Sequence, residues 1–236
     1  MARRYDVPGA LPPLSTTQLS QMYATSDSKN SIGLVDTLAE YESDATILSL
    51  DRALSTHQEI FSLFYTGYLF ALLLIDDLNE ARFLTHRLPR ILADQVPAIR
   101  DSIDVLHAVW SRDYVLIYSS LKKSSWPVEL QPLVDRYLEH FRLSTFQLLS
   151  KAYTTLPPSL AAAYLGLEGS DSQIAEQLTA RGWRIDETGT VLRPCLTDAL
   201  AASTARRQIM SGGSRDTATL VDLIGFLGEQ NASAQA

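Results

Sequence analysis

The sequence predicts a mainly helical protein in which helical-repeat hairpins are fused to a winged-helix module and followed by one more helix, and three observations predict it. First, between Ser31 and His140 apolar residues recur at three and four, as in Ile32, Val35, Leu38 and in Ile99, Ile103, Leu106, Val109. That is the helical period, and strand alternation is absent there. Second, two stretches around Asp77 and Asp113, thirty-six positions apart, look like versions of one another. Third, after His140 the pattern becomes three short helices followed by a hairpin, which is the winged-helix order.

Taken in order, residues 1–30 read as a flexible arm: Arg3 and Arg4 are followed by Pro8, Gly9, Pro12 and Pro13, with no apolar stretch resembling a signal peptide. Residues 31–140 form the helical-repeat region. Its centre is Ile60 to Ile75, apolar nearly all round, so that helix should touch neighbours on more than one side. In each repeat an apolar helix stops and an Asp stands where the next helix needs an N-cap, Asp77 before Leu78-Asn79-Glu80 and Asp113 before Tyr114-Val115-Leu116. Asp77 with Glu80 also makes a capping-box pattern. Two such TPR-like hairpins stacked make a short solenoid, an architecture that presents surface to other proteins.

Residues 141–194 form the winged-helix module. Phe141 to Tyr153 reads as its first helix, Pro157-Pro158 opens a second that ends near Gly166, and Ser170 with Gln173 caps a third that stops at Gly182. Trp183-Arg184-Ile185 and Thr190-Val191-Leu192 then alternate around Asp186 to Gly189 as a hairpin, the one small sheet expected. Its edge should offer an exposed strand to a partner, with Val191 and Arg193 as candidate contacts. Residues 195–214, rich in Ala, Ser, Thr and Gly, read as a linker. Residues 215–236 hold an amphipathic helix whose Leu220, Leu223, Ile224 and Leu227 make one apolar stripe, a candidate partner-binding face.

The formal net charge of -7 repels phosphate backbones and acidic membranes. The third helix of the module carries Asp171 and Glu176 against Arg181 alone, and Arg184 with Arg193 makes no dense patch, so protein contact is favoured over nucleic acid. The longest apolar run, Tyr68 to Ile75, is far below the roughly 18 to 20 residues that span a bilayer, so no membrane partner is expected. One cysteine, Cys195, excludes an internal disulfide and lacks the basic setting of a catalytic thiolate.

Searching for chemistry returns little. His57, His86, His107 and His140 stand far apart with no second ligand at metal-binding spacing. Asp76-Asp77 is explained by capping better than by acid-base work. No nucleophile elbow, phosphate loop or dinucleotide fingerprint is present. The tryptophans Trp110, Trp126 and Trp183 read as core or hairpin-packing residues. The expectation is a protein that is not an enzyme and needs no metal or cofactor.

An ordered set of short motifs spans roughly residues 60 to 194: Asn79-Glu80-Ala81-Arg82-Phe83-Leu84 leading to Arg87-Leu88-Pro89; Trp110-x-Arg112-Asp113-Tyr114 with Ile117-Tyr118 and Leu121; Ser150-Lys151-Ala152-Tyr153-Thr154; Leu165-Gly166-Leu167; and Gly182-Trp183. With a helical-repeat region running into a winged helix, this resembles the PCI-domain subunits of the proteasome lid, the COP-9 signalosome and translation initiation factor three, most of all the signalosome's. It departs at Thr85, where an aromatic is expected. The resemblance implies a non-catalytic scaffold subunit, in cytoplasm and nucleus, of the complex that removes Nedd8 from cullins and so regulates cullin-RING ubiquitin ligases. Its implied partners are other signalosome subunits, with subunit 3 met through the winged helix, and a bundle of terminal helices. A small PCI subunit of the proteasome lid or of the initiation factor remains the alternative, and a winged-helix nucleic-acid binder the second.

Overall fold

The structure, a computed structural model, describes residues 13–25, 31–49, 57–123, 126–186 and 191–194. These residues are mainly helical and divide into two compact units, one within 1–146 and 158–174, the other within 147–157 and 175–236.

The first unit is built around α3 (Gln58–Leu74). Because its sequence is apolar on every side, α3 buries Phe61 and every residue from Leu63 to Leu74, with α1 (Thr16–Thr25), α2 (Ser31–Ser49), α4 (Leu78–Arg87) and α6 (Pro97–Ser111) packed around it. The short α5 (Arg90–Gln95) fills the step between the hairpins, and α7 (Tyr114–Lys123) pairs with α6. The hairpins α3–α4 and α6–α7 stack through α3 and α6, the repeat arrangement expected. A single 3-10 turn, Val128–Leu130, leads into α8 (Gln131–Ala152).

The loose arm expected over residues 1–30 is corrected at Thr16–Thr25, since α1 is a helix that belongs to the core. Leu19 and Tyr23 are fully buried, and the Tyr23 hydroxyl donates to the Leu63 carbonyl oxygen at 2.9 Å. Gly67 permits this: a Cβ built there would lie 2.1 Å from the Tyr23 hydroxyl oxygen. A mid-helix glycine costs about 1 kcal/mol relative to Ala, and here it gives an aromatic ring access to the helix backbone.

The two interhelical turns share one geometry. Asp76 and Arg112 are left-handed, with φ of 60° and 57°. The next residue caps the following helix, Asp77 Oδ1 accepting from the Glu80 N–H and Asp113 Oδ1 from the Leu116 N–H, both at 3.0 Å. The capping residues are also tied back alike, the N–H groups of Asp77 and Asp113 donating to the Leu72 and Ala108 carbonyls at 3.1 and 3.0 Å.

The boundary expected between residues 140 and 141 falls inside one helix. The segment after Phe141 is the C-terminal part of the 22-residue α8, not a separate short helix. Two further helices follow, α9 (Pro158–Leu165) and α10 (Asp171–Ala180), the latter crossing from the first unit to the second. Within the first unit, Arg142 of α8 donates to the Leu165 and Gly166 carbonyls at the end of α9, each at 3.3 Å, satisfying acceptors that a helix end leaves without partners. Gly166, at φ 60°, closes α9 against the ring of Tyr118.

In the second unit, β1 (Arg184–Ile185) and β2 (Leu192–Arg193) form an antiparallel pair in register Arg184 to Arg193 and Ile185 to Leu192. The sheet extends beyond the hairpin to which the sequence confines it. Leu156 bridges Leu192, each N–H donating to the other's carbonyl at 2.8 and 2.9 Å. The buried Trp183 anchors the hairpin, its indole N–H donating to Ser150 Oγ at 2.9 Å.

Candidate interaction surfaces

The residues that sequence reasoning singled out fall into three groups. Val191 and Arg193 flank and form β2. Val191 is half-buried with its carbonyl accepting from the Asp186 N–H at 2.9 Å, and the exposed Arg193 pairs with Asp186 at 2.5 Å. They lie together on the hairpin, but β2 is flanked by β1 on one side and bridged to Leu156 on the other. Among the described residues, the free edge of this sheet is therefore β1. The geometry says more: Leu192 spends both its N–H and its C=O on Leu156, so its pairing with Ile185 is of the non-hydrogen-bonded kind, and the main-chain groups of Ile185 point away from β2. Ile185 is 45% exposed. Sequence reasoning missed it because the signal lies in Leu156, a single bridging residue too short to carry a strand period.

Leu220, Leu223, Ile224 and Leu227, like Cys195, lie outside the described residues.

The chemical candidates do not converge. Among the described residues no three of His, Cys, Asp and Glu gather as a metal ion would require, and no helix is long and apolar enough to cross a membrane. His86 and His107 are exposed on different helices, while His140 on α8 is half-buried, its side chain 8% exposed, with Nε2 3.4 Å from Asp76 Oδ2. A shallow groove between α7 and α9, lined by Arg112, Tyr114, Val115, Leu160, Ala163 and Tyr164, holds no paired nucleophile and base.

The tryptophans divide. Trp126 is buried, donates to the Leu121 carbonyl at 3.0 Å and meets Phe70 edge-on, and Trp183 is buried in the second unit. Trp110, expected as a core or hairpin-packing residue, is 48% exposed, with the Arg82 guanidinium 4.3 Å over its ring. Trp110 stands one residue from the C-terminal end of α6, beyond the buried Ile99, Ser102, Val105, Leu106 and Ala108. Thr85, where the resemblance calls for an aromatic, is half-buried and returns its hydroxyl to the Arg82 carbonyl at 2.7 Å.

Stacked helical hairpins and a small antiparallel sheet define the class: a mainly helical, helical-repeat protein. Residues 59–197 match the CSN8/PSMD8/EIF3K family, and the chain belongs to that family. Among similar proteins, the COP9 signalosome complex subunit 8 of Emericella nidulans is 36% identical over 186 residues, 78% of this chain and 85% of that protein. The proteins of the same name from Xenopus tropicalis and Arabidopsis thaliana are 27% and 26% identical, covering 69% and 52% of this chain and 80% and 61% of theirs.

Proposed function

We propose that this chain is a non-catalytic scaffold subunit of a COP9 signalosome, filling the place of subunit 8 and supporting removal of Nedd8 from cullins by another subunit, in cytoplasm and nucleus. The observation that carries the reading is the likeness, over most of the chain, to proteins named as that subunit. The architecture supports it, since stacked hairpins give a rigid body with large lateral surfaces.

The segment order of the second half supports a winged-helix assignment. The end of α8, the Leu156 bridge, α9, α10, β1 and β2 follow one another as helix, strand, two helices and a two-stranded wing, with the first strand position joined to the last. In this reading the sheet edge meets a neighbouring subunit, subunit 3 by the family resemblance, and Val191 and Arg193 support the hairpin that presents it. The stripe Leu220, Leu223, Ile224 and Leu227 contributes to the bundle of terminal helices.

The test is purification through a tag on the full chain, followed by mass spectrometry and a cullin immunoblot. Stoichiometric signalosome subunits, and accumulation of Nedd8-conjugated cullin when the gene is deleted, are expected. A chain lacking residues 215–236 should keep the melting temperature of the isolated protein and enter the complex less well. Recovery of proteasome-lid or initiation-factor subunits instead would move the chain to another branch of the same family.

A further inference from the structure

We infer that Arg82, Phe83 and Trp110 form a docking site for a protein segment in which a carboxylate stands beside an apolar side chain. Helix α4 carries two arginines with opposite fates. Arg87 is taken up within the chain, bonded to Glu42 at 2.6 Å and to Glu80 at 2.7 Å. Arg82 forms no ion pair among the described residues, although Asp and Glu outnumber Lys and Arg by 27 to 20 in the sequence. It lies over the Trp110 ring instead, its guanidinium carbon 4.3 Å from the ring centroid.

A stacked guanidinium uses its face and keeps its N–H donors in the plane, a fork that matches a carboxylate bidentately. The stack also fixes a long side chain in advance, so less rotamer entropy is lost on binding. Trp110 under the fork and Phe83, the residue after Arg82 on α4, are both large and exposed, at 48% and 59%. Arginine and tryptophan are the residues most enriched where a few side chains carry an interface. One turn away on each helix are His86 and His107, both exposed and neither able to repel an acid. The site thus offers one cationic fork over one aromatic ring, with a second exposed aromatic side chain next to it in sequence on α4. A nucleic acid would call for a row of cations along its backbone, against a chain of formal net charge -7. An acidic, apolar protein segment satisfies both parts at once.

The inference rests on the assembly reading above, and its test separates the two. The full chain is expressed with p-benzoylphenylalanine in place of Phe83, purified through its tag with whatever complex it enters, irradiated, and digested for mass spectrometry. Stoichiometric co-purifying subunits establish assembly before any cross-link is sought; their absence fails the assembly reading and this inference with it. The expected result is a cross-link to one other subunit, in a peptide with Asp or Glu within a helical turn of an apolar residue. Arg82→Glu should lower its yield roughly tenfold or more. Arg82→Lys, which keeps the charge without the fork, should fall between. Because Arg82 is exposed and forms no ion pair among the described residues, both variants should retain the parent circular dichroism and melting temperature. A complete complex giving no inter-chain cross-link overturns the inference while leaving the assembly reading intact. So does a cross-linked peptide without a carboxylate, a cross-link to residues 195–236 of the same chain or to RNA, or a yield indifferent to Arg82→Glu.

Discussion

Gly67 and Tyr23 make a contact that neither residue announces alone. With the Tyr23 hydroxyl oxygen 2.1 Å from where a Cβ would sit, Gly67→Ala gains helix propensity of about 1 kcal/mol yet forces a buried ring off its site. Overpacking of this kind costs roughly 1 to 3 kcal/mol, and the Tyr23 bond to the Leu63 carbonyl goes with it. Gly67→Ala should therefore destabilise the isolated chain by about 1 to 3 kcal/mol in urea unfolding. A stabilised variant would mean that α1 does not pack on α3 in solution. The paired caps allow a second prediction. Asp77→Ala and Asp113→Ala each remove one side-chain acceptor from a helix N-terminus and should each cost about 1 kcal/mol by the same measurement, the double variant close to the sum because the two turns share no capping partner. These caps were legible in the sequence because an N-cap is a local pattern. The seat for Tyr23 was not, since it joins residues more than forty positions apart and its only trace is a glycine inside an apolar helix.

At the scale of elements, the hairpin shows what a pattern carries and where it stops. Trp183 to Ile185 and Val191 to Leu192 alternate as strands do, and the observed register follows. Which edge stays free depended on Leu156, distant in sequence and marked only by the prolines after it. The same limit explains the false boundary at His140: the composition changes there, but α8 runs on through it, because a helix can change the neighbours it packs against without ending. The free edge makes a sharp prediction. Ile185→Pro removes an N–H that has no partner on β2, so it should leave the isolated chain's circular dichroism and melting temperature close to the parent's. If a neighbouring subunit adds a strand at β1, the variant should lose co-purification of that subunit, whereas Val191→Asp would act through the hairpin itself. Undiminished recovery with Ile185→Pro would place the interface away from this edge.

For the whole molecule, the repeat core carries a pH dependence set by buried phenols. Burial pushes Tyr68 and Tyr118 up to about 12, nearby carboxylates adding to the rise at Tyr68, and it raises Tyr23 and Tyr137 further still. An unfolded phenol ionises near about 10. Below that pH both states hold these protons and stability is indifferent to them. Above it the unfolded chain binds fewer protons than the folded one, so stability falls as pH rises, and each phenol held back contributes about 1.4 kcal/mol per pH unit until its folded value is reached. The window is therefore about 10 to 12 for Tyr68 and Tyr118, and it extends higher for Tyr23 and Tyr137. Urea unfolding between pH 8 and 12 should show a steep loss of stability beginning near pH 10. Absorbance at alkaline pH should show only part of the ten tyrosines titrating before the chain unfolds. Tyr23→Phe removes one of the protons held back, so the slope above pH 10 should become shallower even though the loss of its hydrogen bond lowers stability at neutral pH. If all ten phenols titrated together near 10 in a chain that remained folded, the core described around α3 would not be the one present in solution.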